Sequence, residues 1–78
     1  MGGHRHPGEN SRPILARGLL GPDVRDLQAR LKVLRFYRGA VDGAFGPLTQ
    51  GAVIRFQRSR GLAPDGIVGA KVWTALGS

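Results

Sequence analysis

The stretch "VDGAFG" at 41–46 returns as "PDGIVG" at 64–69. Each copy places an Asp-Gly turn before two apolar residues, then a glycine from which a helix can start. An aspartate in such a turn accepts bonds from backbone N–H groups one or two residues on, and the glycine after it supplies the positive φ the turn needs. Phe45 in the first copy and the Ile67-Val68 pair in the second are then expected to dip into a core. The element reads as a self-satisfying corner used twice. The chemical readings lack their required groups. A phosphate loop needs Gly-x-x-x-x-Gly-Lys-Ser/Thr, a calcium loop needs alternating oxygen ligands with a distal Glu, and a dinucleotide fingerprint needs a preceding strand.

Around these corners the apolar spacing is helical. In "GPDVRDLQARLKVL", Val24, Leu27, Leu31 and Leu34 fall on one stripe at 3-4-3 spacing, with Gln28 beside it and Arg25, Arg30 and Lys32 turned away. Pro22 suits a first helical position, and Asp23 and Asp26 lie near the positive end of the dipole. Pro47 opens a second helix expected to run to about Arg60, on which Thr49, Ala52, Val53 and Phe56 cluster with Gln57 at the rim. Gly61 ends it as a left-handed C-terminal residue. "AKVWTALG" is a short third helix with Val72, Trp73 and Leu76 on its apolar side. The fold class expected is all-α, a small three-helix bundle with two similar corner loops. The domain spans 14–78, and 1–13, "MGGHRHPGENSRP", is expected to be a disordered tail or cloning remnant.

With 78 residues and no cysteine, one small core must supply the stability without disulfides or thiolate metal sites. The formal net charge is +7, and ten of the twelve basic residues are arginine. Residues 13–78 alone carry +6, so the basic character belongs to the folded part. A field of that sign favours anionic partners: nucleic acid, acidic polysaccharide, carboxylate-bearing wall or anionic lipid. No apolar run is long enough to span a membrane. The N-terminus lacks the apolar centre of a secretory signal, so export of this chain by that route on its own is not expected.

The segments "DVRDLQARL", "FYRGAVDGAFGPLT", "AVIRFQ" and "GLAPDGIVGAKVW", in this order and spacing, strongly resemble the bacterial peptidoglycan-binding domain family, the three-helix module attached to many cell-wall hydrolases and phage lysins. The resemblance implies non-catalytic attachment to peptidoglycan, through glycan strand or stem peptide, with a catalytic domain elsewhere in a parent protein and a location in the cell envelope. It matches Gln28 and Gln57 to the family's Leu-Gln and Phe-Gln pairs, and Trp73 to its third-helix tryptophan. Three positions depart from the pattern. Arg35 stands where a glycine is usual before the aromatic pair, putting a side chain at a position suited to positive φ. Ala70 and Val72 replace the usual Pro and Thr of the second corner, whereas Thr49 is kept in the first.

The ligand-binding set expected on these grounds is Tyr37, Arg35, Arg38, Asp42, Gly43, Gln57, Arg55 and Trp73. Tyr37 leads it, in a loop between Arg35 and Arg38. Gln28 and Gln57 are read first as partners of loop amides and carbonyls, and Trp73 first as core. Asp42 and Asp65 each have work in their own turns, no Glu accompanies them in the domain, and nothing demands the paired carboxylates that a glycosidase needs. No nucleophile arrangement, metal site or cofactor motif is expected; His4 and His6 lie in the tail. Leu48 and Ile54 fall off the apolar stripe and are expected at the surface. The chain is read as a monomer, with nucleic-acid or protein binding on the same helical scaffold as the alternative. A basic nucleic-acid reader would need a helix presenting its cations to bases, and here they are spread over two helices and a loop.

Overall fold

A computed structural model describes residues 12–77. Three helices follow in order: α1 (Pro22–Val33), α2 (Pro47–Ser59) and α3 (Ala70–Ala75). Proline at the start of α1 and α2 spends no N–H that the helix could have bonded, and Gly21, Gly46 and Gly69 precede the three helices. The core gathers the predicted stripes: Val24, Leu27 and Leu31 from α1, Ala52, Val53 and Phe56 from α2, Val72 and Trp73 from α3. Phe36 packs edge-on against Phe56, with ring centroids 5.4 Å apart. Burial of each large apolar side chain contributes roughly 1.5–3 kcal/mol, which is what holds so short a chain together.

Helices α1 and α2 end in the same way. The N–H of Arg35 bonds Lys32 O at 3.0 Å and that of Phe36 bonds Leu31 O at 2.8 Å. The N–H of Gly61 bonds Arg58 O at 3.2 Å and that of Leu62 bonds Gln57 O at 2.8 Å. Both are Schellman closures. The residue that turns left-handed has φ 71 in each, glycine in α2 and arginine in α1.

The N-terminal segment holds both corners, a feature that the residue pattern did not announce. Leu15 exchanges backbone bonds with Val68 at 3.0 and 2.8 Å. A few residues on, Gly18 N donates to Phe45 O, Phe45 N to Leu19 O, and Gly21 N to Gly43 O, each at 2.9 Å. One extended strap thus ties the second corner to the first by isolated bridges, and the described residues form no regular strand.

Three expectations are corrected, and two residues of the expected tail make contacts: Pro13 O accepts the Trp73 indole N–H at 3.0 Å, and Arg12 pairs with Asp26. The rest of the expected tail, with His4 and His6, lies outside the described residues. Leu34 ends on the surface, since it caps α1 where the chain turns away from the stripe. Ile67 is exposed while Val68 is buried, because the strap pairs with Val68 and turns the neighbouring side chain outward. Tyr37 is not a wet loop residue: it is 5 % exposed and part of the core.

Candidate functional site

Each corner is wired to a glutamine on the preceding helix. In the first, Gln28 Oε1 accepts the Gly43 N–H at 2.9 Å. Its Nε2 faces Asp42 Oδ1 at 3.1 Å, Ala44 O at 3.0 Å, Thr49 Oγ1 at 3.0 Å and Tyr37 Oη at 3.3 Å. Asp42 Oδ1 also accepts the Ala44 N–H at 3.0 Å, which closes the turn. In the second corner, Gln57 Oε1 accepts from Gly66 N at 2.9 Å, and Nε2 donates to Asp65 Oδ1 at 2.9 Å and Ile67 O at 3.0 Å. Asp65 Oδ1 takes the Ile67 N–H at 2.9 Å. The repeat of sequence is therefore a repeat of hydrogen bonding, and among the described residues no buried side-chain nitrogen or oxygen lacks a partner.

Glycine is needed at the heart of both turns. Gly43 and Gly66 have φ 79 and 76. A Cβ on Gly43 would also stand 3.1 Å from Gly21 O, so the close pass of strap and corner requires hydrogen there.

The electrostatics follow from these bonds. The Ala44 N–H, and after it Gln28, hold the Asp42 carboxyl below its usual range; Ile67 N–H and Gln57 do the same for Asp65. Burial pulls the Asp26 carboxyl upward, but the bonds from Arg12 and Arg30 outweigh it and leave it lowered. A lowered folded-state pKa contributes stability that is present above the unfolded value, near 3.9, and lost as pH falls through the folded one. Thermal stability is accordingly expected to hold through neutral pH and decline below about pH 4. The double variant Asp42→Asn, Asp65→Asn should flatten that acid limb in a melting series. An unchanged limb would contradict the corner wiring as its source.

The expected ligand set divides by burial. Tyr37, Gly43, Gln57 and Trp73 are buried, whereas Arg35, Arg38, Asp42 and Arg55 are exposed. The Tyr37 hydroxyl is spent on Ala40 O at 2.6 Å, and the Trp73 face is covered by the Arg12 guanidinium at 3.7 Å from its centroid. Both rings are thus largely enclosed by the fold, and Tyr37 meets the surface only where it lines a recess beside Arg35 and Arg38. Arg55 reaches Phe36 O at 2.8 Å. Arg35, Tyr37 and Arg38 are brought together, and Lys32, read from the sequence only as lying off the stripe, joins them around a recess of about 420 Å³.

A second recess, about 280 Å³, opens beside Gln57 between Leu62, Ala63, Asp65 and Lys71. Its origin is a pair of smaller or less polar residues in the second repeat. Ala63 follows the α2 closure where Tyr37 follows that of α1, and Val72 stands three residues after Gly69 where Thr49 stands three after Gly46. No phenol therefore covers Gln57.

The profile of the peptidoglycan binding domain matches residues 21–76, from the start of α1 to the end of α3. The chain belongs to that family. As a peptidoglycan binding domain it is 52% identical over 58 residues to the N-acetylmuramoyl-L-alanine amidase CwlM of Mycobacterium tuberculosis, covering 74% of this chain and 14% of the amidase. It is 49% identical over 61 residues to the spore cortex-lytic enzyme of Bacillus cereus, covering 78% of this chain and 24% of the enzyme. The chain thus corresponds to a minor part of these relatives. Its fold matches the crystal structure of the SleB N-terminal domain with a TM-score of 0.82 at 47% identity, over 85% of this chain and 90% of that one.

Proposed function

We propose that this domain attaches a linked enzyme to bacterial peptidoglycan and performs no bond chemistry itself. The observation that carries the reading is the extent of the match: it covers a whole binding domain and only 14–24% of the two wall-acting relatives. The corner aspartates support it, since each is tied into its own turn by a backbone N–H and a glutamine. On this reading the working location is outside the cytoplasmic membrane, at wall or spore cortex, a reading supported by the relative named for lysis of the spore cortex. Recognition falls to exposed groups at the rim, Arg35, Arg38, Arg55 and Asp42, and attraction to free wall carboxylates adds a long-range term.

The test is sedimentation with purified insoluble sacculi. Most of the protein is expected in the pellet at low salt, and the bound fraction should fall as ionic strength rises, because screening shortens the reach of charge to about 3 Å at 1 M. No soluble muropeptide should be released during incubation. Protein that stays in the supernatant at low salt would overturn the binding reading, and turbidity loss of the sacculi would overturn the non-catalytic one. Equal, salt-sensitive retention on DNA would show charge alone at work.

A further inference from the structure

We propose that the recess bounded by Lys32, Arg35 and Arg38 is an oxyanion-binding site, built to take a single carboxylate or phosphate group. The source of that group, a polymer of the bacterial wall, rests on the function proposed above.

The first observation is a conformational cost with no folding benefit in view. Arg35 is the one non-glycine residue with positive φ among those described. The same Schellman turn at the end of α2, with the same bond pattern and the same φ of 71, is made by Gly61. Glycine therefore serves this geometry in the same molecule, and an arginine is strained there. What the arginine adds is its side chain. Among the described residues that side chain has no hydrogen-bonding or ionic partner, and neither has that of Arg38.

The second observation is what surrounds it. The recess has a volume of about 420 Å³ and is lined by three cations and a phenol, with no acid among the lining residues. Arg12 and Arg30, by contrast, share Asp26. The walls are also held in place. Lys32 Nζ is tied to Gly39 O at 3.1 Å and the Tyr37 hydroxyl to Ala40 O. An anion entering would meet a held ammonium and phenol, and two guanidinium forks that match carboxylate or phosphate oxygens in pairs.

A cation near a helix C-terminus is also favoured by the helix dipole, and Lys32 already lies in that last turn. A dipole role alone predicts that removing the Arg35 charge lowers stability. The oxyanion site predicts opposite signs: stability up, binding down.

The experiment follows the Nε–Hε signals of the arginines by ¹⁵N NMR during titration with two separate probes, muramyl dipeptide for the carboxylate and glycerol 3-phosphate for the phosphate. It is paired with sedimentation on sacculi for the wild type, Arg35→Gly and Arg35→Lys. The signals of Arg35 and Arg38 should move saturably with at least one probe, the stronger naming the source, while Arg17, outside the recess against Gln50, stays still. Arg35→Gly should melt about 4 °C or more above wild type and bind the responsive probe and the sacculi about tenfold more weakly. Arg35→Lys should recover only part of the loss. If neither probe moves Arg35, or if Arg35→Gly binds as wild type does, the site is refuted even where wild-type protein pellets with sacculi. If the probes titrate Arg35 while sacculi do not retain the protein, the oxyanion site stands and wall attachment falls.

Discussion

Replacing Gln28 with alanine is expected to cost about 3 kcal/mol of folding stability, from buried polar groups that lose their partner at roughly 1–3 kcal/mol each. The buried amide touches the Gly43 N–H, Asp42, the Ala44 carbonyl and the Thr49 and Tyr37 hydroxyls. Two amide hydrogens serve four acceptors, so some of these bonds are shared and the sum of single bonds overstates the loss. Tyr37 keeps its bond to Ala40, and Asp42 keeps the Ala44 N–H. The Gly43 N–H and the Ala44 carbonyl bear most of the penalty. Gln57→Ala should cost less, about 2 kcal/mol, because its amide has no counterpart of Thr49 to leave behind.

Gln28→Glu is the sharper variant. It keeps shape and the acceptor oxygen but replaces Nε2 with carboxylate oxygen, 3.1 Å from Asp42 Oδ1. Repulsion and an unmatched buried charge should make it at least as damaging as alanine at neutral pH, with relief in acid as the carboxyls protonate. For a domain of this size total stability near 5 kcal/mol is typical, so both variants should be substantially unfolded in modest denaturant. Urea unfolding followed by Trp73 fluorescence reads this directly. A Gln28→Ala midpoint close to wild type, or a larger loss for Gln57→Ala, would show that the corners hold themselves without the glutamines.

The parts of this fold that could be read from residues are those whose causes are local. The α1 and α2 stripes, the prolines at helix starts and Gly61 at a helix end each act within one or two turns. The Asp-Gly corners were legible for the same reason, since Asp42 and Asp65 bond N–H groups two residues away. The strap was not, because Leu15 with Val68 and Leu20 with Ala44 are pairings between segments distant in sequence with no alternation to betray them. Tyr37 misled because two flanking arginines make it look like surface. Its hydroxyl is instead satisfied from inside by a helix residue nine positions earlier. Burial within the expected ligand set was the least legible, since four of its eight members are buried, and Lys32 comes beside Arg35 and Arg38 only through the α1 closure.

Trp73→Ala is expected to be the most damaging apolar truncation, at about 3–5 kcal/mol, the usual range for emptying a buried aromatic site. The ring is 1 % exposed and joins α3 to the rest of the core. With so short a third helix, little else can hold it in place. Far-UV circular dichroism should show an incompletely folded protein at 25 °C, the only tryptophan having been removed. Trp73→Phe separates the contributions. It retains most of the apolar contact and loses the N–H bond to Pro13 O, together with part of the stacking under Arg12. Its cost should be about 1–2 kcal/mol. A chain beginning at Ile14 removes the same acceptor and the same guanidinium from the other side, and also takes one of two arginines from Asp26. If Arg12 and Pro13 belong to the fold through Trp73, truncation and Trp73→Phe must be less than additive, by about 0.5 kcal/mol or more, as contacting groups are. Strict additivity would leave the boundary at Ile14 and make those contacts incidental.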